Sequence, residues 1–199
     1  AALESGISEN YEYNCTGSIV CNGVTFNCHK ESGHGVLDLE KAVAYSCNTY
    51  FISLALETGA EKIIDTAKEF GFGGETVLAD SLRSAGGYLP SPDELDSRAA
   101  IANLSFGQGS LLATPLQICS AVAAIARNGI YIRPYLIEGE VDENGSLIRI
   151  SDYSERRQII SQANARRLRR YLEKVVEYGS GKRAMPDSVS VAGKTATAQ

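Results

Sequence analysis

Two short clusters carry the residues best suited to chemistry: Ser46-Cys47-Asn48 and Lys194-Thr195-Ala196. They offer hydroxyls, a carboxamide and an ammonium, a set able to relay protons and hold a polar substrate. A serine nucleophile needs a partner that takes its proton and later returns it to the leaving group. A second group of reactive side chains lies nearer the N-terminus. Cys15, Cys21 and Cys28 sit close together in a segment with Gly and Asn, and His29 and His34 follow. The chain has five cysteines, an odd number, so at least one is unpaired. Outside the cytoplasm Cys15, Cys21 and Cys28 could form one disulfide, and spacing alone does not choose among its three pairings. Zinc is the rival reading, but neither the C-x-x-C nor the H-x-x-x-H spacing of common sites is present. No metal or cofactor is assigned from the sequence.

Placing these clusters requires the elements around them. Asp38 is a suitable N-cap for a helix through Tyr45, with Leu39, Ala42 and Val43 on one face. A second helix is predicted from Thr49 to Glu57, closed by Gly59, so Ser46-Cys47-Asn48 falls at a junction between helices. Residues 7–34 read as a long loop with short strands. Ala60 to Phe70 is another helix, with Ile63, Ile64 and Ala67 inward, and residues 71–96 read as irregular connection. Thr114-Pro115-Leu116-Gln117 is a capping box with proline at the first helical position. The helix it opens, stopping at Asn128-Gly129, is apolar over most of its surface and is expected to be a central core helix. Tyr131 to Ile150 alternates around Asp142-Glu143-Asn144-Gly145, a hairpin turn signal. Ser161 begins a last helix with Leu168, Leu172, Val175 and Val176 on its buried stripe. Val189 to Ala192 reads as a strand leading into Lys194. The fold class is α+β, mainly helical.

At 199 residues, with 44% hydrophobic and 22% charged residues, the chain suits one globular unit. Its net charge is -5 with no long single-sign run, which argues against a nucleic-acid partner. The Arg166, Arg167, Arg169 and Arg170 cluster reads as a solvated helix face. No stretch approaches the ~20 apolar residues of a membrane span.

Three blocks in order resemble the transpeptidase domain of class B penicillin-binding proteins. They are Gly35 to Phe51 around Ser46-Cys47-Asn48, Ser105 to Gly109 with Ala113 to Gln117, and Val191 to Gln199 around Lys194-Thr195-Ala196. The first and last match the S-x-N and K-T-G signatures of serine enzymes that react with penicillin. The resemblance implies a D,D-transpeptidase that cross-links peptidoglycan stem peptides, is acylated by β-lactams, and works at the outer face of the cytoplasmic membrane from an N-terminal anchor. It implies catalytic roles for Ser46, Asn48 and Lys194. Thr195, Ala196 and Thr197 would bind substrate, the Thr197 N–H forming half of an oxyanion hole. Cys47, at the variable position of its motif, reads as packing.

Two departures stand out. Ala196 replaces the glycine that lets substrate approach the strand closely. No serine is followed three residues later by lysine, so the S-x-x-K nucleophile motif is absent from the 199 residues. In relatives that motif opens the helix ending in A-A-L-E-x-G, and this sequence starts Ala1-Ala2-Leu3-Glu4-Ser5-Gly6. The expectation is a domain truncated at both ends, inactive alone. It would keep one of the family's five central strands, around residues 188–199, open to self-association. A β-lactamase or D,D-carboxypeptidase is the alternative enzyme, although no clear E-x-x-x-N segment is present. A non-catalytic scaffold is the alternative from another class.

Overall fold

The computed structural model describes residues 1–7, 11–150 and 155–196, with the backbone alone for residues 149 and 150. Short strands β1 (Tyr13–Cys15), β2 (Ser18–Cys21), β3 (Val24–Asn27) and β4 (Gly35–Leu37) precede helices α1 (Leu39–Ala44), α2 (Asn48–Thr58) and α3 (Ala60–Glu69). A small hairpin, β5 (Val77–Ala79) and β6 (Leu82–Arg83), leads to α4 (Arg98–Ser105) and α5 (Pro115–Ala126). The chain closes with β7 (Ile130–Ile132), β8 (Gly139–Val141), β9 (Leu147–Ile150), β10 (Arg156–Gln158) and α6 (Gln162–Glu177). Among the described residues every sheet is two-stranded and antiparallel: β1 with β4, β2 with β3, β5 with β6, β7 with β10, β8 with β9. The α+β, mainly helical reading holds.

Helix α2 is the centre of the molecule. Thr49, Tyr50, Ile52, Leu54, Ala55 and Thr58 are all buried, so the helix meets protein around most of its circumference. Tyr50 and Leu54 join Leu37, Leu39, Val43, Tyr171 and Val175 in one core, and Ile52 joins Cys21, Phe26 and Ala102 in another. The central role expected of α5 therefore belongs to α2. Helix α5 buries only Gln117, Ser120 and Ala124 and leaves Ile118 49% and Val122 56% exposed. Apolar composition makes a face want cover; it does not guarantee a neighbour to supply it.

Local signals held where side chains cap the backbone. The Asp38 carboxylate accepts from the Lys41 N–H at 2.8 Å and starts α1. Thr114 and Gln117 form the reciprocal capping box of α5. The Asp142 carboxylate accepts from the Asn144 and Ser146 N–H groups and closes the β8–β9 turn. Tyr131, however, lies in β7 and pairs with Arg157 of β10, outside that hairpin.

The strand expected around residues 188–199 does not form over its described part. Residues 188–196 join no ladder, Gly193 N–H donates to Leu172 O at 3.1 Å, and Val189 is 63% exposed. A strand is stable as part of a ladder, and no described residues offer this segment one.

The N-terminal turn is tied to α6. One Glu4 carboxylate oxygen accepts from Ser161 N (2.9 Å), Ser161 Oγ (3.0 Å) and Asn164 Nδ2 (2.7 Å), supplementing the Ser161 cap. Desolvation pushes the Glu4 carboxyl up, but the Asn164 and Ser161 hydrogen bonds outweigh it and leave its pKa lowered. With the folded pKa depressed, this stabilisation is full above the unfolded carboxylate value of about 4.3 and is lost as pH falls through the folded one. Glu4→Ala is expected to cost about 1 kcal/mol at neutral pH and to flatten the acid limb of the stability profile. Urea unfolding across pH checks this, and an unchanged acid limb would contradict it.

Candidate active site

The turn between α1 and α2 builds one wall of the site. Cys47 N–H donates to Ala42 O at 3.0 Å and Ser46 N–H to Val43 O at 3.2 Å, the paired bonds of a Schellman helix end. That motif needs a left-handed residue, and Ser46 takes the position with φ 54°. A side chain there costs roughly 1–2 kcal/mol relative to right-handed backbone, a strain found at functional sites. Cys47 is at once the N-cap of α2, and Asn48 is the helix's first residue.

The second wall arrives from α6. Past its end, Ser180 N–H donates to Ala44 O at 2.9 Å, fastening the loop to the end of α1. Gly179 permits this approach, because a Cβ there would stand 2.2 Å from Ala44 O. Tyr178 packs edge-on to Tyr45, and its hydroxyl donates to Glu40 at 3.3 Å. The chain then returns so that Lys194 Nζ donates to Ser46 Oγ at 2.7 Å and to Thr195 O at 2.8 Å. Desolvation lowers the Lys194 pKa, so its ammonium gives up a proton more readily than a free lysine does. The Thr195 hydroxyl meets that of Ser180 at 2.7 Å.

Ser46, Asn48, Lys194 and Thr195 thus converge on one region from opposite ends of the sequence. Asn48 Nδ2 donates to Asn27 O at 3.2 Å. Ala196 is exposed beside Thr195, and Thr197 lies outside the described residues. Sequence reasoning missed Ser180 and Gly179, which hold the two walls together. Their only sequence signal was Gly179-Ser180-Gly181 after a long amphipathic helix.

None of the three disulfide pairings open to Cys15, Cys21 and Cys28 is formed. All five cysteines are free thiols. Cys21 lies in the core with Phe26, apart from Cys15 and Cys28, which pack with Cys47. Cys28 and Cys47 have their sulfurs 3.9 Å apart. The hydrogen bond between them pulls the Cys28 thiol down to about 4 and pushes that of Cys47 up.

The whole sequence, residues 1–199, matches the family described as the penicillin binding protein transpeptidase domain. The chain belongs to that family. Among relatives of this transpeptidase domain, Stage V sporulation protein D of Bacillus subtilis is 32% identical over 89% of the chain and 27% of its own length. Penicillin-binding protein PbpB of Mycobacterium tuberculosis is 32% identical over 100% of the chain and 30% of its own length. The D,D-transpeptidase domain of a peptidoglycan glycosyltransferase from Eggerthella lenta superposes with a TM-score of 0.89 at 29% identity, covering 100% of this chain and 51% of that one. Penicillin binding protein 3 of M. tuberculosis, complexed with ampicillin, gives 0.87 at 30% identity, covering 100% and 45%. This transpeptidase-domain chain therefore spans under a third of those two curated relatives and about half of those structures.

Proposed function

We propose that the chain supplies two walls of a serine D,D-transpeptidase site, which joins peptidoglycan stem peptides through an acyl-enzyme and is captured by β-lactams. The observation that carries this reading is Lys194 Nζ at 2.7 Å from Ser46 Oγ, across 148 residues of sequence. A hydroxyl held by a partly desolvated amine is suited to pass a proton between the nucleophile and the departing D-alanine. The nucleophilic serine and its lysine come from an S-x-x-K segment outside this sequence. The 199 residues alone are inactive, and the parent works at the outer face of the cytoplasmic membrane.

In the complete domain the serine oxygen bonds to the penultimate D-alanine carbonyl carbon. The C–N bond to the terminal D-alanine breaks, and that residue leaves with the relayed proton. An amine from a second stem peptide then takes the acyl group and frees the serine. Thr195 and Thr197 offer hydroxyls to the terminal carboxylate, Lys194 offers charge, and Asn48 turns its amide from Asn27 O to a substrate carbonyl. Given a D-alanyl-D-alanine peptide and an amine acceptor, the complete domain is expected to yield cross-linked product. Hydrolysed product alone would favour a carboxypeptidase or β-lactamase, and neither product a scaffold.

Ala196 places a methyl where substrate must run close to the backbone. Ala196→Gly is therefore expected to speed acylation of the complete domain by about three- to tenfold, read as the rate of labelling by a fluorescent penicillin. An unchanged or slower rate would show that the methyl is not the obstacle.

A further inference from the structure

Immediately behind Ser46 and Asn48, three sulfurs and an imidazole nitrogen converge. The ligand atoms of Cys15, Cys28, His34 and Cys47 all lie within 4.8 Å of one another, with all three cysteines buried and His34 half-buried. We propose that these four residues bind one zinc ion in a closed tetrahedral site, and that the ion fixes the Ser46-Cys47-Asn48 turn.

The distances carry the proposal. Zinc bonds of ~2.3 Å to sulfur and ~2.0–2.1 Å to nitrogen make the tetrahedron's edges about 3.8 Å between sulfurs and about 3.6 Å between sulfur and nitrogen. The structure has Cys28 Sγ–Cys47 Sγ at 3.9 Å, Cys15 Sγ–His34 Nδ1 at 3.6 Å and Cys28 Sγ–His34 Nδ1 at 3.4 Å. Cysteines buried merely as small hydrophobes have no reason to gather round an imidazole nitrogen at those separations. A disulfide needs sulfurs ~2.05 Å apart, and a Cys28–Cys47 bond would leave Cys15 and His34 without a role. Three thiolates and an imidazole in tetrahedral array suit zinc above harder cations.

The backbone is shaped to bring these residues together. Cys15 ends β1 and pairs with Gly35 of β4, which puts His34 beside it. Cys28 N–H donates to Gly17 O at 2.8 Å. Gly33, with φ 75°, packs where a Cβ would lie 2.2 Å from Cys15 O, and a Cβ on Gly17 would lie 2.0 Å from Glu31 O. The His34 ring stacks on Tyr45 with an interplanar angle of 6°. Cys47 reaches the cluster from the N-terminus of α2. Four occupied positions leave none for substrate or water, so the ion is structural.

The consequence for the site is positional. Cys47 lies between Ser46 and Asn48, and Cys28 follows Asn27, whose carbonyl holds the Asn48 amide. One ion would tie both partners of that hydrogen bond to β1 and β4. The metal site itself does not depend on the transpeptidase reading, and its test does not read activity.

The 199-residue chain, purified from zinc-containing medium without chelator, is expected to carry stoichiometric zinc that a thiol-specific mercurial releases. Cobalt in its place should give the intense visible bands of tetrahedral cobalt and the ultraviolet charge transfer of thiolate ligation. Cys28→Ser and His34→Gln should weaken cobalt binding by more than about tenfold, whereas Cys21→Ser and Cys119→Ser should leave it intact. If the first two variants do not fold, the spectrum of the unaltered chain still decides. An octahedral spectrum, substoichiometric zinc, or a Cys28–Cys47 disulfide in non-reducing peptide maps would overturn the proposal.

Discussion

Lys194→Ala in the complete transpeptidase domain is expected to slow β-lactam acylation by about 10²–10³-fold, the cost of removing a charged donor from a proton-transfer site. Its ammonium is bonded to both Ser46 Oγ and Thr195 O. Alanine leaves the Ser46 hydroxyl without its ammonium partner and removes the positive charge proposed to face the substrate carboxylate. Lys194→Arg should also fail to restore the rate, because a planar fork does not reproduce a point contact with one hydroxyl. Folding should hardly change, since Lys194 is an exposed residue on a segment outside any ladder. The lowered Lys194 pKa adds a pH signature: the alkaline fall in acylation should begin below the ordinary lysine value of about 10.4. Acylation within about threefold of the unaltered domain would remove Lys194 from the mechanism.

The second large effect concerns stability. Gln117→Leu is expected to cost about 2–4 kcal/mol, among the larger values for a single substitution. Gln117 is 4% exposed, and its Nε2 reaches the carbonyls of Gly71 (2.9 Å), Gly74 (3.2 Å) and Gly86 (2.8 Å). Its Oε1 accepts from the Thr114 N–H at 2.9 Å. One side chain therefore caps α5 and gathers a glycine-rich segment that has little packing of its own. Leucine fills similar space but leaves those part-buried carbonyls and that N–H without their partner. Gln117→Glu should fare no better, because a carboxylate cannot donate to carbonyls. Urea unfolding gives the number, and a loss below about 1 kcal/mol would show that water replaces the amide freely.

How much the sequence revealed depends on the range of the interaction involved. Caps and turns were legible because Asp38, Thr114 with Gln117, and Asp142 satisfy backbone groups a few residues away. Placing Ser46 between two helices followed from the same local signals. The central helix was misplaced because α2 and α5 are both apolar, and only tertiary contacts decide which is covered. Helix α4 escaped notice because Ser97 caps it alone, accepting from Ala100 N–H at 3.1 Å, and only Ala102 and Leu104 are buried. The cysteine cluster was illegible because its members come singly from distant positions. Cys47 joins Cys15 and Cys28 only because the α1–α2 turn lies against β1 and the loop after β3.

The catalytic roles of Ser46 and Lys194 were expected from a family pattern rather than from spacing. What the structure adds is the means: a Schellman turn that strains Ser46 outward, and the Gly179-Ser180 loop that fastens α6 to α1. Both are backbone devices with weak sequence signals, and neither Ser180 nor Gly179 bears on the chemistry directly. Substitutions at Gly179 should accordingly damage the site through its geometry, since any Cβ there meets the Ala44 carbonyl.

The most direct measurement of the central claim is covalent labelling with a fluorescent penicillin, followed by peptide mapping, on the 199-residue chain and on the complete domain side by side. No adduct is expected on the 199 residues, and a single adduct is expected on the complete domain, at its S-x-x-K serine. An adduct on the 199-residue chain itself, at Ser46 or any other residue, would contradict the claim.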